Sequence, residues 1–426
     1  MLRAQTARRT QQFNILIKPV LLRLQSKNKL FRQHLDNFDP TSNQQKLMTY
    51  LDSQELPLFS AGNKITILDS GEKKFSSLLH DLKTAKNFIH MQYFIWKGDI
   101  LGNRIAEILM HKARQGVEVR ILVDFLGSFT FISPSYITKL KQAGVNFEYN
   151  QKWWNILQLN RQNYRDHRKI VVIDGKVGYF GGINVGQEYI DGGDQFTAWT
   201  DAHVKIEGEG VNSLQLLFSQ AWYLVTGESL LKPYFDLSMV RKPQNSLLDI
   251  VVSGPTQRRE SIKQLYISLI LNAKKRIWIA SPYFVPDSTM QESLAISALS
   301  GVDVRLVITG QADNKIPFWA AHNYYPNLLA AGVKIYEYKA GFLHSKVLVC
   351  DDNISCVGSL NLDNRSFRLN FELSAVMYEK WLNTHLADVM EEYMAKSQPL
   401  DEHWFNKLPN WIKLRNALAA LLSPIL

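Results

Sequence analysis

Hydrophobic positions in this chain fall into short runs and helical stripes by turns. Ile121-Leu122-Val123 is an apolar, largely β-branched run and reads as a buried strand. A helical stretch, Gly102 to Gln115, precedes it, and a comparable stretch, Met290 to Ser300, stands in the second half of the chain. Strands alternating with helices imply a layered α/β domain. Near the N-terminus, Phe13, Leu16, Ile17, Val20, Leu21 and Leu24 recur at helical spacing, and Pro19 is expected to interrupt them. Such a helix either lies in a membrane interface or packs on the protein's own surface. Nowhere do about 18 apolar residues run uninterrupted, so no spanning helix is expected. No signal peptide is recognisable either.

The same elements occur twice. AKNFIHMQYFIW (Ala85 to Trp96) is matched by AKKRIWIASPYFVPD (Ala273 to Asp287), and GVEVRILVD (Gly116 to Asp124) by GVDVRLVIT (Gly301 to Thr309). AGVNFEY (Ala143 to Tyr149) returns as AGVKIYEY (Ala331 to Tyr338). HRKIVVIDGKVGYFGGIN (His167 to Asn184) returns as HSKVLVCDDNISCVGSLN (His344 to Asn361). Block order is kept at offsets of 177 to 188 residues, so the chain is a duplication with altered loops. Each histidine-containing block reads as a hairpin, with turn signals at Asp174-Gly175 and Asp352-Asn353. The polar, proline-marked segment Lys242 to Ser246 is the expected linker. The expected organisation is a basic amphipathic arm (1–56), a first lobe (57–240), a second lobe (247–403) and an amphipathic tail (404–426). The lobes are expected to be similar α/β units, mixed sheets flanked by helices, related by a pseudo-twofold axis.

Charge refines this picture. The net charge is +10, yet Met1 to Leu35 contains no acidic residue and holds Arg3, Arg8, Arg9, Lys18, Arg23, Lys27, Lys29 and Arg32. A basic arm on an otherwise near-neutral chain points to an anionic surface, not to a nucleic acid bound along the whole molecule. The tail has an interfacial composition, with Trp411, Ile412, Leu414, Leu418, Leu421 and Leu422 among Lys407, Lys413 and Arg415. Two cysteines, Cys350 and Cys356, give no disulfide framework and fit a cytosolic setting.

The chemistry sits in the histidine blocks. His167, Lys169 and Asp174 are spaced H-x-K-x4-D, and His344, Lys346 and Asp351 repeat the spacing. Downstream of each come a Gly and an Asn: Gly181 and Asn184, then Gly358 and Asn361. Residues two apart in a strand face one side, so each histidine projects beside its lysine. Two intact copies inside a longer duplication are not a chance pattern. The duplicated motif resembles that of the phospholipase D superfamily. The blocks around Tyr164–Tyr189, Trp199–Gly208, Ser253–Pro255, Pro282–Asp287, Gly341–Asp352 and Gly358–Leu373 are similar to its bacterial cardiolipin synthase branch. That branch usually begins with two membrane-spanning helices, which this sequence does not show.

The resemblance implies phosphatidyl transfer from one phosphatidylglycerol to another, giving cardiolipin and glycerol, with phosphatidylethanolamine as an alternative second substrate. It points to His167 as the nucleophile that becomes phosphatidyl-histidine and His344 as acid and base, with the reverse assignment open. Asp201 and Glu372 match the positions that hold the far imidazole nitrogens, while Asp174 and Asp351 look structural, bracing their hairpins. Preorganised cations stabilise the extra charge of five-coordinate phosphorus. Lys169 and Lys346 would supply them, with Asn184, Asn361 and Ser359 as neutral donors to phosphoryl oxygens. No cofactor or metal is expected, since two-metal carboxylate clusters, cysteine-rich zinc spacings and a G-x4-G-K-[ST] loop are all missing. Gly182 stands where the second block has Ser359, so unequal halves are expected. Transfer must exclude water, and the apolar segments Phe129–Ile132 and Trp153, Trp154, Ile156 and Leu157 are candidate lipid-facing walls. Attachment to the cytoplasmic face of the cell membrane is expected. The competing readings are a phospholipase D-type hydrolase and a phosphodiesterase or nuclease, which would need a basic groove across the lobes.

Overall fold

The computed structural model describes residues 2–32, 43–54, 56, 58–151, 164–231, 233–235 and 246–426. The expected linker residues 242–245 and the Trp153–Leu157 segment lie outside the described residues. So do the side chains of Arg3, Arg8, Lys27, Lys29 and Arg32.

The first repeat supplies β1 (Leu58–Leu68), β2 (Phe88–Tyr93), β3 (Glu118–Val123), β4 (Asn146–Tyr149), β5 (Arg165–Asp166), β6 (Ile170–Ile173), β7 (Val177–Gly181), β8 (Trp199–Thr200) and β9 (His203–Glu207). The second supplies β10 (Ser246–Ser253), β11 (Arg276–Ser281), β12 (Phe284–Val285), β13 (Asp303–Thr309), β14 (Lys334–Tyr338), β15 (Phe342–Leu343) and β16 (Val347–Cys350). It continues through β17 (Ile354–Gly358), β18 (Leu362–Asp363), β19 (Asn370–Met377) and β20 (Ser397–Pro399). Among the described residues the main sheet runs β20-β14-β13-β11-β16-β17-β19-β10-β1-β9-β7-β6-β2-β3-β4. Leaving out β20, this order is unchanged when each strand is replaced by its repeat partner and the list is read backwards. The duplication therefore appears as a pseudo-twofold relation centred between β1 and β10.

The lobes share one sheet. β1 pairs with β10 from Leu58 to Asn63 and with β9 from Lys64 to Leu68, changing register between Ser60 and Asn63. Strand parity builds the layers. Val171 and Ile173 pack with Phe75, Leu78, Ile105 and Leu109 of helices Gly71–Thr84 and Ile100–Arg114. Ile170 and Val172 face the opposite side, into the core of helix Gly210–Thr226. That core is continuous with helix Lys380–Ala395 of the second repeat, which buries Leu382, Leu386 and Met390. Strands covered on both faces must be apolar throughout, and β6 and β16 are buried along their whole length.

The termini join this body. Helix Leu2–Arg32 passes through Pro19 without ending, contrary to the expected interruption. Phe13 and Ile17 are buried against helix Gly210–Thr226, where Arg9 Nη1 donates to Leu224 O at 2.7 Å. Its main apolar contact is thus with the protein itself. Leu47, Met48 and Leu51 of helix Asn43–Asp52 enter the core of the second repeat. The tail helix Asn410–Ala420 and the last residues dock on the second repeat, where Arg365 N–H donates to the Leu426 carbonyl at 2.7 Å. No helix among the described residues is long and apolar enough to cross a membrane.

Candidate active site

Both motifs lie at the carboxyl ends of parallel strands. β2 and β3 are parallel, as are β11 and β13, and antiparallel pairing sets Gln92 opposite Ile170 and Ala280 opposite Val347. His167 and Lys169 just before β6, and His344 and Lys346 just before β16, therefore stand where open α/β sheets bind ligands.

Each hairpin is fixed by its aspartate. Asp174 and Asp351 have φ of 53° and 49°, a left-handed conformation tolerated by Asp in tight turns. The Asp174 carboxylate accepts the backbone N–H groups of Lys86, Asn87 and Phe88 at 2.8, 2.7 and 2.9 Å. Asp351 accepts those of Lys274, Lys275 and Arg276 at 3.0, 2.8 and 3.2 Å. Both therefore tie a hairpin turn to the entry of β2 or β11, outside the reacting centre.

The histidines are held across the pseudo-twofold. β5 pairs with β19 and β15 with β8, each an exchange between repeats. His167 N–H donates to Phe371 O at 3.0 Å, one residue before Glu372, and His344 N–H donates to Thr200 O at 2.7 Å, one residue before Asp201. The carboxylates then reach the rings. His167 Nδ1 lies 3.1 Å from Glu372 Oε2, and His344 Nδ1 lies 2.5 Å from Asp201 Oδ2. With Nδ1–H donated to the carboxylate, Nε2 keeps its lone pair for phosphorus or a proton. Lys169 Nζ donates to His167 O at 2.6 Å, and Lys346 makes the same bond to His344 O. Both histidines, both lysines and both carboxylates are buried.

Burial sets the protonation. It is the main force pushing Lys169 down to about 7 and Lys346 down to about 8. It also lowers both histidines, helped by the lysine charges, so the rings stay neutral near pH 7. The carboxylates differ. Burial raises Asp201 to about 6. On Glu372 the same upward pull is outweighed by His167, Lys169 and the Ser359 hydroxyl, and its carboxyl stays below the usual range.

Ser359 accounts for part of that difference. Its hydroxyl donates to Glu372 Oε2 at 2.5 Å. Gly182 takes its place in the first repeat because Asp201 occupies the space: a Cβ there would lie 2.2 Å from Asp201 Oδ1. Asn184 is also engaged, accepting Ile95 N–H at 3.0 Å and donating one amide hydrogen to Tyr189 OH at 2.9 Å. Asn361 is buried, and its Oδ1 has no partner among the described residues.

The pocket walls were not singled out from sequence. Trp199 and Phe342 ring centroids lie 5.4 and 5.8 Å from that of His344, and the Phe94 centroid lies 4.9 Å from that of His167. Trp199 precedes Asp201 by two positions and Phe342 precedes His344 by two, so strand parity was the available signal. Among the described residues, no three His, Cys, Asp or Glu side chains converge as a metal ligand set.

Comparison with known proteins matches this arrangement. The family model described as "Cardiolipin synthase, PLD-like domain" matches residues 78–222 and 266–395, one segment per repeat. The chain is 42% identical to a cardiolipin synthase of Geobacillus kaustophilus over 86% of its own length and 73% of the relative's. It is 37% identical to the major cardiolipin synthase of Bacillus subtilis over 95% of its own length and 84% of the relative's. Among solved structures, the phosphatidylserine synthase of Haemophilus influenzae superposes with a TM-score of 0.67 at 16% identity, covering 90% of this chain and all of that one, a likeness of fold. With a doubled histidine–lysine–aspartate motif, its carboxylates exchanged between repeats, and relatives this similar, the chain belongs to the cardiolipin synthase family of phospholipase D-like enzymes.

Proposed function

We propose that the chain transfers a phosphatidyl group between two phosphatidylglycerol molecules, giving cardiolipin and glycerol. The observation that carries this reading is the pair of buried histidines, each with Nδ1 on a carboxylate and a lysine at its side. His167 Nε2 attacks phosphorus, and the lysines balance the charge that builds on the phosphoryl oxygens. His344 takes up a proton on Nε2 as the anionic phosphate binds beside it, gives that proton to the leaving glycerol oxygen, and then removes one from the incoming hydroxyl. The ionised Glu372 behind His167 supports that assignment, because the imidazole gains positive charge as it attacks. The test is phosphatidylglycerol vesicles with chelator and no nucleotide, with products identified by mass. Cardiolipin and glycerol are expected in equal amounts. Phosphatidic acid alone would replace this reading with a hydrolase.

The titrations predict a pH profile. Catalysis needs cationic lysines, so kcat/KM should fall as pH rises through about 7 and 8, where Lys169 and Lys346 lose their protons. It should also fall as pH drops through about 6, where Asp201 gains a proton and its support of His344 weakens. Lys169→Arg keeps its charge and should move the alkaline limb upward. A profile flat through about pH 9 would remove the lysines from this role.

The membrane contact we infer is the face that carries the site. Phe129 and Phe131, in the chain leaving the carboxyl end of β3, are 43% and 45% exposed. Trp411, Leu414, Leu418 and Leu421 are 56% to 74% exposed on the tail, which packs on helix Lys315–Ala321 beyond the carboxyl end of β13. Arg415 lies over the Trp411 ring, at a centroid distance of 5.5 Å, as befits an interface with anionic lipid. Changing Trp411, Leu418 and Leu421 together to Ser should weaken vesicle binding about tenfold or more, while turnover in detergent changes little. Unaltered sedimentation with vesicles would move the contact elsewhere.

A further inference from the structure

Two buried polar atoms, on residues paired beside His167 and Glu372 in the chain, are unused by the chemistry above. Arg165 Nη1 finds no acceptor and Asn370 Oδ1 no donor among the described residues. The two residues are register partners in the short parallel pairing of β5 with β19. Buried polar groups are nearly always paired, so orphans on two paired residues mark a place where a polar group belongs. Arg165 precedes His167 by two positions in extended backbone, and the two share a side. Asn370 precedes Glu372 by two, and its Nδ2 donates to Glu372 Oε1 at 3.1 Å. Asp124 does not fill the vacancy on Arg165. Its Oδ1 lies 4.0 Å from Nη1, outside hydrogen-bond reach, and its carboxylate already accepts Gly127 N–H at 3.0 Å and Asn150 Nδ2 at 2.7 Å. Burial, together with the like charge of Arg365, loosens the Arg165 proton, and a bound anion would relieve that strain on the cation.

This corner exists in one half alone. At the 177-residue offset of the histidine blocks, Arg165 corresponds to Phe342, part of the aromatic wall beside His344, and Arg365 corresponds to Glu188. Transfer between two lipids needs such inequality, because the acceptor brings its own phosphate while the donor's phosphate occupies the histidines. We propose that Arg165, with Asn370 beside it, holds the phosphate of the acceptor lipid. The inference rests on the transfer reading above. In this step the acceptor's primary hydroxyl oxygen bonds to phosphorus, and the phosphorus–nitrogen bond to His167 breaks, returning its electron pair to the ring. The hydroxyl proton passes to His344. A guanidinium suits the task because its fork binds phosphate through two parallel hydrogen bonds.

The test is a partition. Full-length protein in detergent receives phosphatidylglycerol as donor, with 1-butanol as a second acceptor that carries no phosphate. Arg165→Ala and Arg165→Gln should lower the ratio of cardiolipin to phosphatidylbutanol by about 10- to 100-fold, the scale of a lost charge-assisted contact. Arg165→Lys should restore part of that ratio, since charge returns without the fork. In the unaltered protein, added glycerol phosphate should suppress cardiolipin more than phosphatidylbutanol. Equal loss of both products in the Ala and Gln variants, or equal suppression by glycerol phosphate, overturns the acceptor site. An unaltered protein that makes phosphatidylbutanol and never cardiolipin would overturn the transfer reading itself.

Discussion

Replacing His167 or His344 should each abolish cardiolipin formation, with losses on the order of 10⁴-fold or more for the nucleophile and 10²–10⁴-fold for the acid and base. The fold should survive both. Neither ring belongs to the hydrophobic clusters that hold the layers together. The cost is local: His167→Ala removes one donor from buried Glu372 but leaves it Ser359 and Asn370. Losing one hydrogen bond to a charged group costs about 1.5–3 kcal/mol. His167→Asn can return a donor near the Nδ1 position without a nucleophile, so it should recover stability and no activity. The two variants should also differ. Without His344, phosphatidyl-His167 can form on a donor with a good leaving group and then persist, because no base activates the acceptor. Mass spectrometry of a digest should find that adduct in the His344→Ala protein. Near-normal turnover in either variant would end the two-histidine mechanism, and an adduct on His344 in the His167→Ala protein would reverse the roles.

The sequence carried a large part of this design because duplication makes spacing redundant. The two H-x-K-x4-D blocks located the histidines and lysines, and parity predicted that each pair shares a side. The correspondence between the two halves of the main sheet follows from the same repeat. What escaped was information that no single block contains. The β5–β19 and β8–β15 pairings join segments about 140 to 205 residues apart, and nothing local in Arg165-Asp166 or Trp199-Thr200 announces a strand. Family likeness supplied Glu372 and Asp201, but the exchange that seats each beside the other repeat's histidine is a tertiary fact. The N-terminal helix shows the converse limit. Its stripe of Phe13, Ile17 and Leu21 suits a membrane or a protein surface equally, and the helix Gly210–Thr226 took Phe13 and Ile17. Pro19 failed as a stop signal because proline removes one donor and adds one clash, costs that packing on the body can offset.

The difference between Gly182 and Ser359 predicts the second large effect. In the first repeat, Gly182 N–H donates to Ala202 O at 3.0 Å, and in the second, Ser359 N–H donates to Leu373 O at 2.8 Å, so the two backbones are held alike. A side chain at position 182 would start 2.2 Å from Asp201 Oδ1 and 2.6 Å from Oδ2. Asp201 cannot retreat without leaving His344, its partner at 2.5 Å. Gly182→Ser should therefore cost about 1–3 kcal/mol of stability through overpacking. It should also lower kcat on the order of 10²–10⁴-fold, the scale of losing the carboxylate that orients a catalytic imidazole. The second repeat shows how a serine is accommodated there: its carboxylate is a glutamate, whose extra methylene carries the oxygens past the hydroxyl that then donates to them. Adding Asp201→Glu to Gly182→Ser should thus rebuild the Ser359–Glu372 arrangement beside His344. The double variant should recover at least about tenfold of the lost kcat, although Asp201→Glu alone, lacking the serine, should impair the enzyme. A coupling energy measured from these three variants and the parent reports the interaction directly. If the double variant is no more active than Gly182→Ser, the two halves do not support their histidines in equivalent ways, and the inequality of the carboxylates must arise outside this pair of positions.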